Sequence, residues 1–131
     1  MLAISVITVT YNCEDTIERT IQSVISQPYE SIDFIIIDGG SIDNTPRIIN
    51  KYKKYLSYYI SEPDSGIYEA MNKGIAASKG NGMIFLNAGD YFVGDVFNGA
   101  SAPSLIPVRY KNFLGKSLAA SLKNMYFGMP Y

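Results

Sequence analysis

A chain of 131 residues, 47% of them hydrophobic, is long enough for one domain with a core and too short for two. Its formal net charge of −1 argues against a nucleic-acid partner, because nucleic-acid-binding domains are usually strongly basic. One cysteine, Cys13, and no histidine exclude an internal disulfide, the common Cys/His zinc sites and a Ser-His-Asp triad.

The first two predicted elements are a strand and a helix. Residues 3–10, AISVITVT, are apolar at nearly every position and rich in β-branched side chains, which is typical of a strand buried on both faces of a parallel sheet. Between residues 14 and 27 apolar residues recur at helical spacing, and Pro28 ends the run. This pattern predicts a helix that packs on the sheet.

A second strand and a second helix follow. Residues 33–38, DFIIID, predict a short buried strand, and the small residues 39–41 predict a turn where the backbone can approach a ligand. Thr45 followed by Pro46 is typical of an N-cap and a first helical position. We expect that helix to run to about residue 55, and residues 56–61 to form a third strand.

The alternation continues through a third helix and a fourth strand. A polar turn at residues 61–66 precedes a helix that begins at Ile67 and ends near Gly80. Residues 83–86 predict another buried strand. Because strands and helices alternate as far as Asp90, we expect an α/β fold with an open, mostly parallel sheet and helices on both faces.

The pattern weakens in the last part of the chain. Residues 94–107 predict a loop and residues 114–125 one more helix. The chain then stops directly after this apolar helix, so we expect a first domain over residues 1–95 and an incomplete second region over residues 96–131. Apolar surface left exposed by such an interruption would favour a homo-oligomer.

Charge is distributed unevenly along the chain. All twelve acidic residues lie at or before Asp95, whereas the last part carries only basic ones, Arg109, Lys111, Lys116 and Lys123. Two interpretations stay open: a peripheral contact with an anionic membrane surface, or an ordinary helix with a solvated face. No basic leader with a cleavage site and no apolar run of membrane-spanning length occurs, so we expect a cytoplasmic protein.

Four polar clusters follow the predicted strands, at residues 10–12, 38–41, 62–66 and 87–90. Ligands of open α/β sheets bind beyond the carboxyl ends of the strands. Carboxylates, hydroxyls, amides and one aromatic ring suit a base, a ribose and a metal-bound diphosphate. The first turn lacks the glycine fingerprint of dinucleotide-binding enzymes, and no Gly-Lys-Ser/Thr phosphate loop occurs, which excludes dehydrogenases and the common ATPases and GTPases.

Four segments occur in order along the chain: SVITVTYN at 5–12, DGGSIDNT at 38–45, EPDSGIYEAMNKG at 62–74 and FLNAGD at 85–90. They resemble the motifs of family 2 glycosyltransferases, in particular those that build colanic-acid-type and other surface polysaccharides. The resemblance implies a GT-A fold and inverting transfer of a sugar from a UDP- or GDP-linked donor to a saccharide or lipid-linked acceptor. Residues 1–95 would then bind the nucleotide sugar, and residues 96–131 would begin the acceptor side.

The resemblance also implies which residues meet the nucleoside. Thr10, Tyr11 and Asp38 would hold it, with Asp38 accepting a hydrogen bond from the base. Gly39 would allow close approach of the backbone. Tyr11 has a second interpretation, in which its ring packs under the turn.

The next residues implied by the resemblance face the ribose and the diphosphate. Asp64, Asn72 and Lys73 resemble that segment, with Lys73 offsetting phosphate charge or lying on the surface as an ordinary lysine. Ser41 and Asp43 either touch the donor or cap and shape their loop.

The segment NAGD at residues 87–90 takes the place of the family's Asp-x-Asp motif but keeps only the final carboxylate, Asp90. A hard cation such as Mg²⁺ or Mn²⁺ can be held by one carboxylate together with substrate phosphates, so the predicted metal site depends on Asp90 alone. With the amides at positions 12 and 87, the predicted donor-binding set is Thr10, Tyr11, Asn12, Asp38, Gly39, Ser41, Asp64, Asn72, Lys73, Asn87 and Asp90.

No catalytic residue is predicted. The family's general base is an acidic residue beyond the metal loop, and because no Asp or Glu follows Asp95 we expect the base outside this chain. The alternative function is a non-catalytic nucleotide-binding or interaction module derived from a truncated transferase. A signalling domain phosphorylated on Asp38 is disfavoured, because its first strand would need an acidic cluster where Thr10 and Tyr11 stand.

Overall fold

The computed structural model describes residues 3–98 and the backbone of residues 106–107. A short 3-10 turn, Lys53–Tyr55, lies between the second helix and the third strand. In chain order the elements are β1 (Ile4–Thr10), α1 (Ile17–Ile25), β2 (Ile32–Asp38), α2 (Thr45–Lys51), β3 (Tyr58–Ser61), α3 (Ile67–Ala77), β4 (Gly82–Phe85) and β5 (Ile106–Pro107).

The strands form one sheet in the order β3-β2-β1-β4-β5. Each pair among β1 to β4 is parallel, and β5 runs antiparallel to β4. Thr10 lies opposite Asp38, which in turn lies opposite Ser61. The predicted α/β fold with an open, mostly parallel sheet is therefore confirmed, and the turns after β1, β2 and β3 emerge together at one edge.

The sheet is covered on both faces, as the apolar runs of its strands predict. On one face Ile7 and Val9 of β1 pack with residues of α3, including Met71. On the other face Val6 of β1 packs with α1 and α2, including Ile21. All these side chains are fully buried, so the sheet supports a rigid edge on which loops can carry a site.

The helix α1 begins at Ile17 rather than at residue 14, because the residues before Ile17 form other hydrogen bonds. The Cys13 carbonyl accepts hydrogen bonds from the N–H groups of Thr16 and Ile17. The N–H groups of Cys13 and Glu14 donate to side chains of the loop before α2, Thr45 Oγ1 at 2.9 Å and Asp43 Oδ2 at 3.2 Å. These contacts are tertiary, so helical periodicity alone could not place the boundary.

Two other boundaries differ from the prediction. The helix α2 ends at Lys51 and β3 begins only at Tyr58, because the Ser57 N–H donates to the Phe34 carbonyl at 2.8 Å and draws the chain onto the sheet. The predicted loop over residues 94–107 is wrong at its end, since Ile106–Pro107 pairs with β4 as β5. The predicted helix at 114–125 lies outside the described residues, among which no helix is long and apolar enough to cross a membrane.

Candidate functional site

Four turns meet at the carboxyl edge of the sheet. The Gly39 N–H donates to the Thr10 carbonyl at 2.9 Å, and the Glu62 N–H donates to the Asp38 carbonyl at 3.1 Å. The turn after β4 joins them, because the Ala88 N–H donates to the Val9 carbonyl at 3.1 Å. All four predicted polar clusters thus leave the sheet side by side.

A cavity of about 420 Å³ opens between three of these turns and is lined by Tyr11, Gly39, Gly40, Pro63, Asp64 and Gly66. Its volume lies in the range of small-molecule sites. Tyr11 keeps 43% of its surface exposed. Of the predicted donor-binding residues, Tyr11, Gly39 and Asp64 line this cavity.

Gly40 makes the close approach of two turns possible. Its φ is +86°, and a β-carbon there would lie 2.9 Å from the Pro63 backbone nitrogen. A side chain at this position would push the turn after β2 away from the turn after β3. Gly40 and Pro63 belong to the predicted polar clusters at 38–41 and 62–66, but neither was among the predicted donor-binding residues, and their contact with each other was not predicted.

The carboxylate of Asp38 is fully buried next to the cavity and already accepts three hydrogen bonds. The Ser41 hydroxyl donates to Oδ1 at 2.5 Å, and the Ser41 N–H donates to Oδ2 at 2.8 Å. The third donor is the Ser61 hydroxyl, 2.6 Å from Oδ2. Ser61 was not predicted, because only the register of β3 brings it to β2.

The turn after β1 is tied to the turn after β2. The Asn12 N–H donates to Ser41 Oγ at 2.7 Å, and Asn12 Oδ1 accepts from the Ile42 N–H at 2.9 Å. Asn12 has a φ of +51°, a left-handed conformation that asparagine tolerates better than most residues. These bonds hold Ile42 on a rigid tip, where it is 90% exposed.

Asp43 lies directly before Asn44, the N-cap of α2, and closes the same network, since its Oδ1 accepts from the Thr45 N–H at 2.9 Å. Burial by itself raises the pKa of Asp43, but hydrogen bonds from Thr45 and from the Glu14 N–H outweigh burial and hold this pKa below its ordinary value. Glu14 reciprocates, since its Oε2 accepts from the Asn44 N–H at 3.0 Å. Of the two interpretations left open for Asp43, the contacts describe the one in which it shapes the loop.

The segment that enters α3 divides between two places. Asp64 Oδ1 accepts from the Gly66 N–H at 3.1 Å at the cavity wall. Asn72 and Lys73 do not line that cavity; they line a second one of about 650 Å³ on α3, with Ser65, Glu69 and Ala76.

Lys73 forms an ion pair with Glu62 at 3.0 Å. Burial lowers the pKa of Lys73, but the hydrogen bond and charge of Glu62, with the charges of Asp64 and Glu69, raise it above its ordinary value overall. The lysine is therefore a cation at neutral pH, close to the acidic turn after β3.

The turn after β4 is held from α1. The Thr20 hydroxyl donates to the Asp90 carbonyl at 2.7 Å and accepts from the Gly89 N–H at 3.1 Å, and Gly89 has a φ of +101°. The Asp90 carboxylate is left exposed. Thr20 was not predicted, although a polar residue on the apolar face of α1 was a usable signal.

Unsatisfied polar atoms collect on this side of the edge. Both amide atoms of Asn87 are buried without a hydrogen-bond partner, and so is the Thr10 hydroxyl. Buried polar groups in proteins are normally paired, so these atoms need an explanation in terms of ligand or water. Within residues 3–98 no group of three or more His, Cys, Asp or Glu is arranged to hold a metal, and the metal site at Asp90 stays a prediction.

Comparison with known proteins connects this edge to one family. The sequence model of the protein family described as Glycosyl transferase family 2 matches residues 5–98. An uncharacterized glycosyltransferase of Mycobacterium tuberculosis is 42% identical over 92 residues, which cover 70% of this chain and 35% of that protein. The Escherichia coli UDP-Glc:alpha-D-GlcNAc-diphosphoundecaprenol beta-1,3-glucosyltransferase WfaP is 39% identical over 94 residues, which cover 71% of this chain and 38% of WfaP.

Solved structures show the same architecture. Residues 1–349 of S. aureus TarS superpose with a TM-score of 0.69 at 25% identity, covering 77% of this chain and 32% of that one. Mannosyltransferase PcManGT from Pyrobaculum calidifontis, in complex with GDP-Man and Mn²⁺, superposes with a TM-score of 0.64 at 21% identity, covering 70% and 28%. The predicted GT-A fold is confirmed. The chain spans about a third of the length of these relatives.

Proposed function

Because the chain belongs to glycosyl transferase family 2, we propose that it holds the nucleotide-sugar donor of a transferase that moves the sugar to an acceptor hydroxyl with inversion, in polysaccharide biosynthesis. The observation that carries this proposal is the cavity between the turns after β1, β2 and β3, at the edge where ligands of such sheets bind. Two similar proteins support a UDP- or GDP-linked donor for this chain. WfaP carries UDP-Glc in its name, and PcManGT was solved in complex with GDP-Man.

The nucleoside occupies the cavity in this proposal. The Tyr11 ring supplies a flat apolar wall for the base, and base–aromatic stacking contributes about 1–3 kcal/mol. Gly39 brings backbone close to the ligand, and Asp64 offers an acceptor for the ribose. Thr10 supports Gly39 through its carbonyl, and Asn12 and Ser41 join the turns that carry Tyr11 and Gly39.

The diphosphate lies towards the turn after β4. Asp90 supplies an exposed carboxylate and Asn87 an unpartnered amide oxygen, and both are oxygen donors of the kind that Mg²⁺ and Mn²⁺ prefer. These residues fit a cation that keeps further positions for phosphate. When bound, such a cation stabilises the negative charge that grows on the departing diphosphate.

Lys73 and Asn72 would contact the diphosphate from α3. Lys73 is cationic and only 22% exposed at its side chain, and it must leave Glu62 to reach a phosphate. Asn72 carries a buried carbonyl oxygen without a hydrogen-bond partner. Their proposed role depends on a movement of α3 or of the donor, since neither residue lines the Tyr11 cavity.

Calorimetry of the 131-residue chain with UDP and GDP, each with and without Mn²⁺, tests the proposal. We expect one of the two to bind with a Kd between about 1 μM and 1 mM, the usual range of enzyme KM values. Tyr11→Ala should weaken binding at least about fivefold through lost stacking. Tyr58→Ala is a matched control, because Tyr58 is 41% exposed against 43% for Tyr11 and lies outside the cavity.

The proposal fails if neither nucleotide binds, or if Tyr11→Ala and Tyr58→Ala bind alike. The saccharide or lipid-linked acceptor, a homo-oligomer and a cytoplasmic location at the inner face of the membrane remain parts of the proposal. The membrane contact depends on Arg109, Lys111, Lys116 and Lys123, which lie outside the described residues.

A further inference from the structure

We infer that Asp38 is a positioning residue for the nucleoside cavity, that Ser61 acts through it, and that the base is read by the groups lining the cavity. This inference rests on the proposed function. It differs from the contact between Asp38 and the base that the family resemblance implies. The inference depends on the hydrogen bonds that the carboxylate already accepts, on the turns that these bonds join, and on the position of Asp38 beside the cavity.

The carboxylate has little capacity left for a ligand. Its two oxygens accept hydrogen bonds from the Ser41 hydroxyl, the Ser41 N–H and the Ser61 hydroxyl, and the whole residue is 0% exposed. Hydrogen bonds to an ionised acceptor are about twice as strong as neutral ones. Because the residue is fully buried, a base could reach Asp38 only if one of the surrounding turns moved.

The connections of Asp38 reach all three walls of the cavity. Through Ser41 the carboxylate fixes the turn after β2, and the Ser41 hydroxyl also accepts from the Asn12 N–H at 2.7 Å, which fixes the turn after β1. Through Ser61 it fixes the end of β3, from which Pro63 and Asp64 enter the cavity wall. One buried charge therefore sets the distances between the turns that hold Tyr11, Gly39 and Asp64.

Tyr59 lies beside this pair of residues. Burial raises the pKa of Tyr59 and the negative charge of Asp38 raises it further, whereas a hydrogen bond with Ser61 lowers it. Tyr59 is outside the cavity lining, so its titration reports on the Asp38–Ser61 pair without touching the ligand.

The test uses the 131-residue chain and Mn²⁺ with UDP, CDP and GDP as probes in calorimetry. Ser61→Ala removes one donor from Asp38 without changing any cavity-lining residue. We expect it to weaken the preferred nucleotide by roughly tenfold, the size of a hydrogen bond to a charged group, and Ser61→Thr to restore binding to within about twofold. Ser57→Ala is the matched control: Ser57 is an exposed serine before the same strand, and we expect it to bind like the unchanged chain.

Asp38→Asn separates positioning from direct reading of the base. Uracil presents an N–H where cytosine presents an acceptor, so a carboxylate that contacts the base would make the UDP/CDP preference depend on Asp38. We expect all three nucleotides to weaken by the same factor and the preference to stay within about twofold. A change of the UDP/CDP ratio of tenfold or more, or unchanged binding by Ser61→Ala, overturns the inference.

Amide hydrogen exchange distinguishes failure of this inference from failure of the proposed function. Should the unchanged chain bind none of the probes, the donor-binding proposal is lost, while the positioning role is still judged on the ligand-free protein. Ser61→Ala should then raise the exchange rate of the Ser41 N–H at least about tenfold. It should also raise the pKa at which Tyr59 titrates, because the hydrogen bond with Ser61 that lowers this pKa is lost while the charge of Asp38 remains. Unchanged exchange at Ser41 overturns the inference whether or not nucleotides bind.

Discussion

The two ends of the candidate site are built in opposite ways. At the nucleoside end, the turns after β1, β2 and β3 satisfy one another: Asp38 accepts three hydrogen bonds, and Asn12 donates and accepts across two turns. At the phosphate end, Asn87 is buried with both amide atoms unpaired, and Asp90 is exposed. The turns of the first end are held together without a ligand, with the Thr10 hydroxyl left unpaired, whereas the second end keeps polar groups that only a ligand, cation or water can satisfy.

This contrast suggests a division of labour. A preorganised cavity loses little conformational entropy when it binds, so the nucleoside end can supply affinity and recognition. Unpaired buried groups destabilise the ligand-free protein, but they leave donors and acceptors ready for a diphosphate and a cation.

The largest effect is expected from Gly40→Ala, which should break the preformed end. The new β-carbon would lie 2.9 Å from the Pro63 nitrogen at a φ of +86°, so the two turns must separate. We expect a loss of about 2–4 kcal/mol in the free energy of unfolding and at least a tenfold weaker nucleotide affinity. Gly94→Ala is the control, with a φ of +70° and no atom within 4 Å; equal losses in the two variants would contradict the crowding argument.

Asp90→Ala should remove the metal dependence of binding and leave the nucleoside end intact. The carboxylate is exposed, and the turn is held through the Asp90 backbone by Thr20, so we expect a Tm within about 2 °C of the original. Calorimetry with and without Mn²⁺ should show that the cation no longer strengthens nucleotide binding, while binding without metal is unchanged. Persistence of the Mn²⁺ effect would remove Asp90 from the site.

Asn87→Leu should stabilise the ligand-free protein and weaken metal-dependent binding. An apolar side chain of similar size removes two buried polar atoms that have no partner, and such atoms cost about 1–3 kcal/mol each when unsatisfied. We expect thermal or urea unfolding to show a gain of about 1 kcal/mol after repacking. A loss of stability would mean that Asn87 is satisfied by ordered water, and that the contrast between the two ends is smaller.

The smallest effect concerns Asp43 in the preformed end. Its folded pKa lies below its ordinary value, so it contributes stability above the ordinary pKa of an aspartate, and this contribution is lost as pH falls through the folded pKa. Asp43→Asn should therefore lower the free energy of unfolding by less than about 1 kcal/mol at pH 7, after screening by solvent. The difference from the unchanged chain should shrink below about pH 4; a constant difference would contradict the role of its charge.

Much of this site was predictable because each turn has a local signal. The strands read as continuous apolar runs, and polar residues such as Tyr11, Asp38 and Asp90 follow them directly, so their meeting at one edge follows from the parallel topology. Thr20 and Ser61 were missed, since each belongs to the site through contacts with residues far away in the chain. Gly40 lies in a predicted cluster, but its close approach to Pro63 was not predicted. Asn72 and Lys73 were placed with the diphosphate by resemblance, and the structure puts them in a second cavity on α3.

The sequence by itself determined the class of fold, the order of its elements as far as β4, and the family, because periodicity, turn residues and four ordered motifs are all local properties of the chain. Only the tertiary structure decided which polar groups have hydrogen-bond partners within the protein and which do not. Asp38 and Asn87 both follow or end buried strands, yet the first is satisfied by two serines and the second by none of the described residues. That distinction depends on strand register and on the distance between turns, which no single segment encodes.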